Sequence, residues 1–115
     1  DEFALAFMDV MPQIDGHTLV IPKDDAETIL DVDPEILGKT ARTVQVVGAA
    51  VQAAFAAPGF MVAQLNGSAA GQTVPHLHFH ILPRYEGLEF KMHAREMADF
   101  ELLETHAQRI RSELS

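Results

Sequence analysis

Alternating apolar and polar residues near the start of the chain predict a β-hairpin. In FALAFMDV, Phe3, Leu5 and Phe7 fall on one face of an extended segment, which predicts a strand that ends near Asp9. The turn formers of MPQIDG follow, and HTLVIP then has the composition of a second strand. Because the turn between them is short, the two strands are expected to pair in antiparallel fashion.

Helical spacing replaces this alternation in the middle of the chain. Asp24 or Asp25 is expected to cap a short helix within KDDAETILDVD, and Asp33-Pro34 predicts the N-cap and first residue of a long helix that stops at the Pro-Gly pair 58–59. Apolar or small residues recur along one side of this long helix: Leu37, Ala41, Val44, Val47, Gly48, Val51, Ala54 and Phe55. The small residues permit close approach by another element, and packing on the domain's own sheet is favoured over a dimer contact.

The second half of the chain predicts two more strands and a final helix. FMVAQL (60–65) and VPHLHFHIL (74–82) have strand patterns, and NGSAAGQT (66–73) is the loop between them. A helix is expected from near Asp99 to Leu114, and its predicted buried side comprises Leu102, Leu103, Ala107 and Ile110. Strands and helices of these lengths predict an α+β fold.

Composition limits the classes of protein to which the chain can belong. Its 115 residues with 48% hydrophobic content suit one globular domain over 1–115. No apolar run approaches the roughly 18 to 20 residues of a membrane span, and the sequence has no cysteine, so a soluble protein of the reducing cytoplasm is expected. The net charge of −9 repels nucleic acid and anionic membranes. Asp1 already lies in a predicted strand, so an N-terminal segment is expected to be missing.

Three histidines alternate with apolar residues in the fourth predicted strand. Because strand side chains alternate between faces at roughly 3.3 Å per residue, His76, His78 and His80 are expected to line one face about 6.6 Å apart. Three explanations are open: solvent-facing histidines, a zinc site, or nucleophilic and acid–base chemistry. The outer two lie about 13 Å apart on a straight strand, so at most two of the three could bind one ion. His93 and His106 are interpreted as surface residues.

The loop before this strand favours chemistry on a phosphate. NGSAAGQT consists of small residues that let backbone N–H groups approach a ligand, and Gly71 can adopt dihedral angles that other residues avoid. Such a loop is usually no more than a turn when it occurs alone. Joined directly to a face of imidazoles, it indicates an anionic phosphorus centre that histidine attacks or protonates.

The segment HLHFHIL resembles the histidine triad motif, in which three histidines alternate with apolar residues. The preceding AGQTV, the following LPR, and the segments FMDVMP and GHTLVIPK also resemble this family, so the resemblance extends from about Ala4 to Arg84. It implies a single histidine triad (HIT) domain with an antiparallel sheet, a long helix and usually a homodimer. The implied activity is cleavage at the α-phosphate of a nucleoside 5′-monophosphate conjugate, with a purine nucleotide such as AMP as the bound group.

The resemblance also implies a role for each matching residue. The middle histidine, His78, would be the nucleophile that forms a nucleotidyl-histidine, while His76 and His80 would orient and polarise the phosphate and one of them would assist proton transfer. Asp9 matches the residue that holds the ribose hydroxyls, and His17 matches a supporting position close to the triad. The other implied contacts are Val10 and Leu19 around the base, and Asn66, Gly71, Gln72, Thr73 and Val74 beside the phosphate.

Differences within the family bear on the substrate. His80 is similar to the third histidine of the hydrolase branch, where some transferases have glutamine. Two classes of substrate stay open. One comprises phosphoramidates and acyl-adenylates, and the other comprises dinucleoside polyphosphates. Asp25 stands where the family frequently has a histidine. Some relatives hold a structural zinc partly through N-terminal cysteines, which would lie in the segment expected to be missing, and no cofactor is expected to be required. A non-catalytic module that binds purine nucleotides is the alternative function.

Overall fold

A computed structural model describes residues 2–87 and 99–114 of the chain. In chain order the elements are β1 (Ala4–Met8), β2 (Thr18–Pro22), α1 (Pro34–Ala54), β3 (Gly59–Gln64), a short 3₁₀ turn (Ser68–Ala70), β4 (Phe79–Arg84) and α2 (Phe100–Leu114). The four strands form one antiparallel sheet in the order β1-β2-β4-β3. The predicted α+β fold is therefore confirmed. Within the described ranges, neither helix is long and apolar enough to cross a membrane.

Helix α1 begins where the sequence predicts it. The carboxylate of Asp33 accepts a hydrogen bond from the backbone N–H of Glu35 at 2.8 Å, and Pro34 occupies the first helical position. A Cβ placed on Gly48 would lie 2.8 Å from the ring of Phe60 on β3. Gly48 therefore favours this close approach, and the valines of α1 pack in the sheet's core, so packing of the helix on the domain's own sheet is confirmed. Ala41, predicted on the same side, is exposed, and its predicted packing is wrong.

The two faces of the sheet have different partners. The helix-covered face carries Ala4, Val20, Phe79 and Ile81, which pack with the valines of α1 in one core. The other face carries the residues that alternate with them, and the register places Phe7 opposite Leu19 and Leu19 opposite His80. Because strand side chains alternate, these three form a row across β1, β2 and β4 on the face that the helices leave open.

Two predicted elements differ in the structure. The short helix expected after Asp24 or Asp25 is wrong, because residues 23–33 form turns in which Asp31 accepts from the backbone N–H of Thr28 at 2.9 Å and from its hydroxyl at 3.0 Å. Such local side-chain bonds compete with a helix. The fourth strand begins at Phe79 rather than at residue 74, since both neighbouring strands pair with β4 only from Phe79 onward.

The buried side of α2 was predicted only in part. Leu103 and Ile110 are buried as expected, whereas Leu102 is 44% exposed, so its predicted burial is wrong. His106, interpreted as a surface residue, is also corrected: it is buried and meets the ring of Phe55 edge-on at 5.1 Å. The buried residues Leu103, His106 and Ile110 recur at helical spacing and form one stripe along α2, with His106 in the middle. His93 lies outside the described residues.

Candidate active site

An apolar pocket of about 290 Å³ opens on the sheet face that the helices leave uncovered. Its lining comprises Phe7, Met8, Asp9, Val10, Leu19, Ile21, Val74, His76 and His78. Most of these side chains are apolar, so the pocket suits a flat ring system such as a nucleobase. The structure thus brings together six of the residues matched to nucleotide binding and catalysis, namely Asp9, Val10, Leu19, Val74, His76 and His78.

The tautomer of His78 is set by a main-chain group. Its Nδ1 lies 2.7 Å from the carbonyl oxygen of His76. Because a carbonyl can only accept, Nδ1 must carry the proton, which leaves the lone pair of neutral His78 on Nε2. A neutral imidazole with a defined lone pair is a competent nucleophile. The orienting carbonyl belongs to the residue two positions earlier in the chain.

His80 and His17 form a directed hydrogen-bonded pair. The backbone N–H of Gln13 donates to His17 Nδ1 at 3.2 Å, so the proton of neutral His17 resides on Nε2. That Nε2 lies 2.9 Å from His80 Nδ1 and 3.4 Å from a carboxylate oxygen of Asp9. His17 therefore donates to His80, and the proton of neutral His80 is placed on Nε2, where it can be donated to a ligand.

Burial keeps this pair neutral. Burial, together with the neighbouring His17 and His78, lowers the pKa of His80 to about 4, and Asp9 opposes this shift. Burial also lowers the pKa of His17, which Asp9 raises and His78 lowers. The ring centroids of His78 and His80 are 4.9 Å apart, so a charge on one disfavours a charge on the other. At neutral pH both His17 and His80 are uncharged and their tautomers are defined.

The lowered pKa values predict a pH-dependent stability. Between about pH 4 and pH 6.5, unfolded His80 binds a proton that folded His80 does not, so the free energy of unfolding is expected to fall as the pH drops through this window. Urea denaturation of wild type and His80→Gln at several pH values measures the effect, and the variant is expected to have the shallower slope. Equal slopes for the two proteins would contradict the assigned neutrality of His80.

His76 is held differently from the other two triad histidines. Its Nε2 lies 3.1 Å from the carbonyl oxygen of Pro22, at the end of β2, and therefore donates to it. Its backbone N–H donates to the carbonyl of Val74 at 2.8 Å. The imidazole is only partly buried and lines the apolar pocket on one side. On its other side is a second cavity of about 440 Å³, lined also by Asp25, Ala26, Glu27, Asp31 and Pro75.

The side chains of the loop before the triad stabilise the loop itself. Gln72 is buried; its amide oxygen accepts from the N–H of Gly67 at 2.7 Å, and its nitrogen donates to the carbonyls of Glu27 at 2.6 Å and Val74 at 3.0 Å. The side chain of Asn66 accepts from the N–H of Ile29 at 2.7 Å. Gly71 has a φ of 101°, which favours glycine. Of the loop residues expected beside the phosphate, Asn66, Gly71, Gln72 and Thr73 do not line the apolar pocket.

The donor atoms present do not fit a resident metal ion well. Ligand atoms of Asp9, His17 and His80 lie within 4.8 Å of one another. However, a metal-binding imidazole normally donates its other ring N–H to an acceptor, and His17 Nδ1 instead faces the donor N–H of Gln13. Among residues 2–87 and 99–114, this group of three potential ligands includes neither His76 nor His78, which the sequence offered as possible zinc ligands together with His80.

Comparison with known proteins assigns the family. The model of the HIT domain matches residues 1–87. The chain belongs to the HIT family. An uncharacterised HIT-like protein of Methanocaldococcus jannaschii is 41% identical over 88 residues, which are 76% of this chain and 67% of that protein. The crystal structure of a HIT-like protein of Bartonella henselae superposes with a TM-score of 0.94 at 47% identity, covering 99% of this chain and 82% of that one.

Two HIT relatives carry names that state an activity. An adenylylsulfatase of Arabidopsis thaliana is 34% identical over 75% of this chain and 44% of that protein. An asymmetrical bis(5′-nucleosyl)-tetraphosphatase of Schizosaccharomyces pombe is 35% identical over 72% of this chain and 46% of that protein. The HIT family to which the chain belongs therefore includes hydrolases of nucleotide derivatives.

The sequence did not predict all contributors to the site. Phe7, Met8 and Ile21 line the pocket, although they were not predicted as site residues. For Phe7, the alternation that places it on one face of β1 could have indicated this position. The N–H of Gln13 and the carbonyl of Pro22 are main-chain groups, and no residue type marks them. Their positions depend on how the turn after β1 and the end of β2 fold against the triad.

Proposed function

We propose that this HIT protein cleaves the α-phosphate linkage of a nucleoside 5′-monophosphate conjugate, with a purine nucleotide such as AMP held in the apolar pocket. The observation that carries the proposal is the 2.7 Å hydrogen bond from His78 Nδ1 to the carbonyl of His76, which leaves the Nε2 lone pair for attack beside the pocket. Nucleophilic attack by a histidine requires such an unprotonated ring nitrogen. The hydrolase names of two relatives support the same class of reaction.

The proposed reaction has two displacements at phosphorus. His78 Nε2 attacks the α-phosphorus and a P–N bond forms, while the bond to the leaving group breaks and its electron pair departs with that group, which takes up a proton from solvent as it leaves. The Nε2–H of His80 stabilises the developing negative charge by a hydrogen bond. Water then attacks phosphorus, the P–N bond breaks with its electron pair returning to Nε2, and the proton of water returns to solvent. Transfer replaces hydrolysis when another nucleophile takes the place of water.

The nucleoside is proposed to occupy the pocket beside Asp9. One carboxylate oxygen of Asp9 accepts from the N–H of Met11 at 2.9 Å and the other lies 3.4 Å from His17. An ionised carboxylate has about four acceptor sites, so Asp9 can still accept from ribose hydroxyls. Leu19 and Val10 supply apolar contact for the base. We expect the base to be recognised mainly by shape and apolar area, because the other lining residues are largely apolar.

Charge favours a conjugate with one nucleotide over a dinucleoside polyphosphate. The cavity beyond His76 is lined by three carboxylates, of Asp25, Glu27 and Asp31, and the whole chain carries a net charge of −9. A polyphosphate that extends past the α-phosphate meets these negative charges, whereas an amine or acyl leaving group does not. We therefore rank phosphoramidates and acyl-type conjugates above tetraphosphates.

A direct comparison of substrates tests this ranking. Adenosine 5′-phosphoramidate and bis(5′-adenosyl) tetraphosphate are incubated with the protein, and AMP is quantified by chromatography. We expect kcat/KM to be about tenfold or more higher for the phosphoramidate, because repulsion of roughly 1.4 kcal/mol corresponds to a factor of ten. A preference for the tetraphosphate contradicts the ranking. Micromolar binding of AMP with no turnover of either compound favours the non-catalytic binding module.

A homodimer is part of the proposal. Strand β3 lies at one edge of the sheet, and its Phe60 and Val62 are 37% and 45% exposed. An edge strand that presents apolar side chains is commonly covered in the native assembly. Light scattering of the purified protein is expected to give twice the chain mass of 12.6 kDa, and a mass of one chain at micromolar concentration contradicts the dimer.

A further inference from the structure

Phe55, which follows the last residue of α1, contacts the turn that leads into His17. Its side chain is buried. Gly16 has a φ of 92°, and a Cβ placed on it would lie 2.8 Å from the ring of Phe55 and 3.1 Å from Pro83. The backbone of Gly16 is therefore enclosed between these two side chains, directly before His17. None of Phe55, Gly16 and Pro83 lines the apolar pocket.

Side chains of two later segments hold the end of α1 in place. The guanidinium of Arg109 on α2 lies 4.4 Å from the centre of the Phe55 ring and donates to the carbonyl of Ala54 at 2.6 Å. The hydroxyl of Tyr85 donates to the carbonyl of Phe55 at 2.7 Å. The last carbonyls of a helix have no partner within the helix, and a cation near them is favourable, so both bonds stabilise this end. The position of the ring therefore depends on groups outside the active site.

The turn that Phe55 contacts orients His17. The N–H of Gln13 donates to His17 Nδ1 at 3.2 Å, and the N–H of His17 donates to the carbonyl of Ile14 at 3.1 Å. Both bonds require residues 13–17 to keep their shape. If Gly16 moves toward space left by a smaller side chain, the N–H of Gln13 separates from Nδ1, and the proton of His17 is no longer confined to Nε2.

We propose that Phe55 is a positioning residue for the active site: its ring, held by Arg109 and Tyr85, keeps Gly16 in place, so that His17 donates from Nε2 to His80. This inference rests on the proposed function for the use made of the His80 proton. The tautomer of His17 exists without substrate and can be observed separately. Helix α2 contributes no side chain to the apolar pocket, yet through Phe55 it supports the donor to the phosphate.

Phe55→Leu tests this role by turnover. Leucine keeps an apolar side chain but lacks the ring atom Cε2, which is the atom nearest to a Cβ on Gly16. We expect kcat to fall about tenfold or more, since a misplacement of about 1 Å can cost about 100-fold. KM is expected to change little, because Phe55 does not line the pocket.

Val51→Ala is the matched control for loss of packing. Val51 is fully buried one turn earlier on α1, and its truncation opens a space in the core away from residue 55. We expect a lower melting temperature with kcat unchanged. His106 meets the Phe55 ring edge-on, and glutamine at position 106 is expected to keep that side of the ring packed.

Nitrogen NMR of the imidazoles supplies the readout that loss of packing alone does not move. In wild type and Val51→Ala, His17 is expected to show protonated Nε2, and His78 protonated Nδ1. In Phe55→Leu, His17 is expected to show a mixture of both tautomers while His78 is unchanged, because the carbonyl that orients His78 lies elsewhere. Arg109→Met, a change at an exposed residue, is expected to shift His17 in the same direction to a smaller extent.

An unchanged His17 tautomer in Phe55→Leu overturns the inference, and so does a mixture of tautomers in Val51→Ala. An unchanged His17 in Arg109→Met overturns the part assigned to α2. If Phe55→Leu does not fold, Phe55→Met takes its place, because methionine also lacks the ring and adapts to the space. If the wild type turns over no substrate, the proposed function fails, and the NMR comparison alone still decides whether Phe55 positions His17.

Discussion

His78→Ala is expected to abolish turnover, with a loss of about 10⁴-fold or more in kcat, while the fold and nucleotide binding persist. The variant lacks the Nε2 lone pair that the carbonyl of His76 defines, so the covalent path is closed and direct attack by water is all that remains. The apolar pocket residues Phe7, Leu19 and Ile21 are unchanged, and they provide much of the contact area for a base. Affinity for AMP is therefore expected to change little.

Intact-mass measurement after rapid mixing with adenosine phosphoramidate tests the covalent step. An alkaline quench is used because phosphorus–nitrogen bonds are labile in acid. Wild type is expected to gain one nucleotidyl group transiently, and His78→Ala is expected to gain none. His106→Gln is the matched control: His106 is a buried histidine on α2 that contacts Phe55, and its loss removes an imidazole without touching the site. Near-normal turnover in His78→Ala shows that the nucleophile is misassigned.

His80→Ala is expected to lower kcat by about 10²- to 10³-fold, the range found when one preorganised donor to a developing negative charge is removed. His17 donates to His80 Nδ1 at 2.9 Å and so places the His80 proton on Nε2. His17→Ala is therefore expected to reproduce much of the loss. His17→Gln can still donate a hydrogen bond from its amide, and it is expected to retain more activity than His17→Ala.

A double-mutant cycle decides whether His17 acts through His80. If it does, the double variant loses little more than His80→Ala alone, since residues that act as a unit are not additive. Thermal unfolding of each variant checks that the protein still folds when the buried His17 is replaced. If His17→Ala does not fold, His17→Gln replaces it in the cycle. Additive losses contradict the proposed pair and point to a separate contact of His17.

Local patterns predicted most of the elements that carry the site. Alternation along β1 and β2 predicted the hairpin, and Asp33 with Pro34 predicted the start of α1, because a cap depends on a few adjacent residues. The motif around His78 predicted which segment carries the clustered histidines, of which His76 and His78 line the pocket. These predictions succeeded because each depends on interactions over a few residues, or on a spacing that a strand or helix converts directly into a face.

Predictions that depended on distant partners failed more often. Residues 74–78 have the composition of a strand, yet β4 begins at Phe79, because a strand also needs paired neighbours. β3 ends opposite Phe79, and β2 continues to Pro22 but pairs with β4 only as far as Val20. Leu102 is exposed and His106 is buried because the orientation of α2 is decided by its packing on α1 and Phe55. The amide of Gln72 bonds to Gly67, to Val74 and to the carbonyl of Glu27, 45 residues away, and no local pattern indicates these partners; its expected place beside a phosphate stays a prediction.

By itself the sequence determined the family, the α+β class, the row of histidines and the residue types available for chemistry at phosphorus, because these follow from composition and short-range spacing. Only the tertiary structure determined which hydrogen-bond partner each histidine has, and therefore which tautomer it adopts. The carbonyl of Pro22 binds His76, the carbonyl of His76 sets His78, and the N–H of Gln13 sets His17 and through it His80. The reason is physical: a tautomer is selected by the donor or acceptor that a ring nitrogen faces, and main-chain groups leave no mark in the sequence.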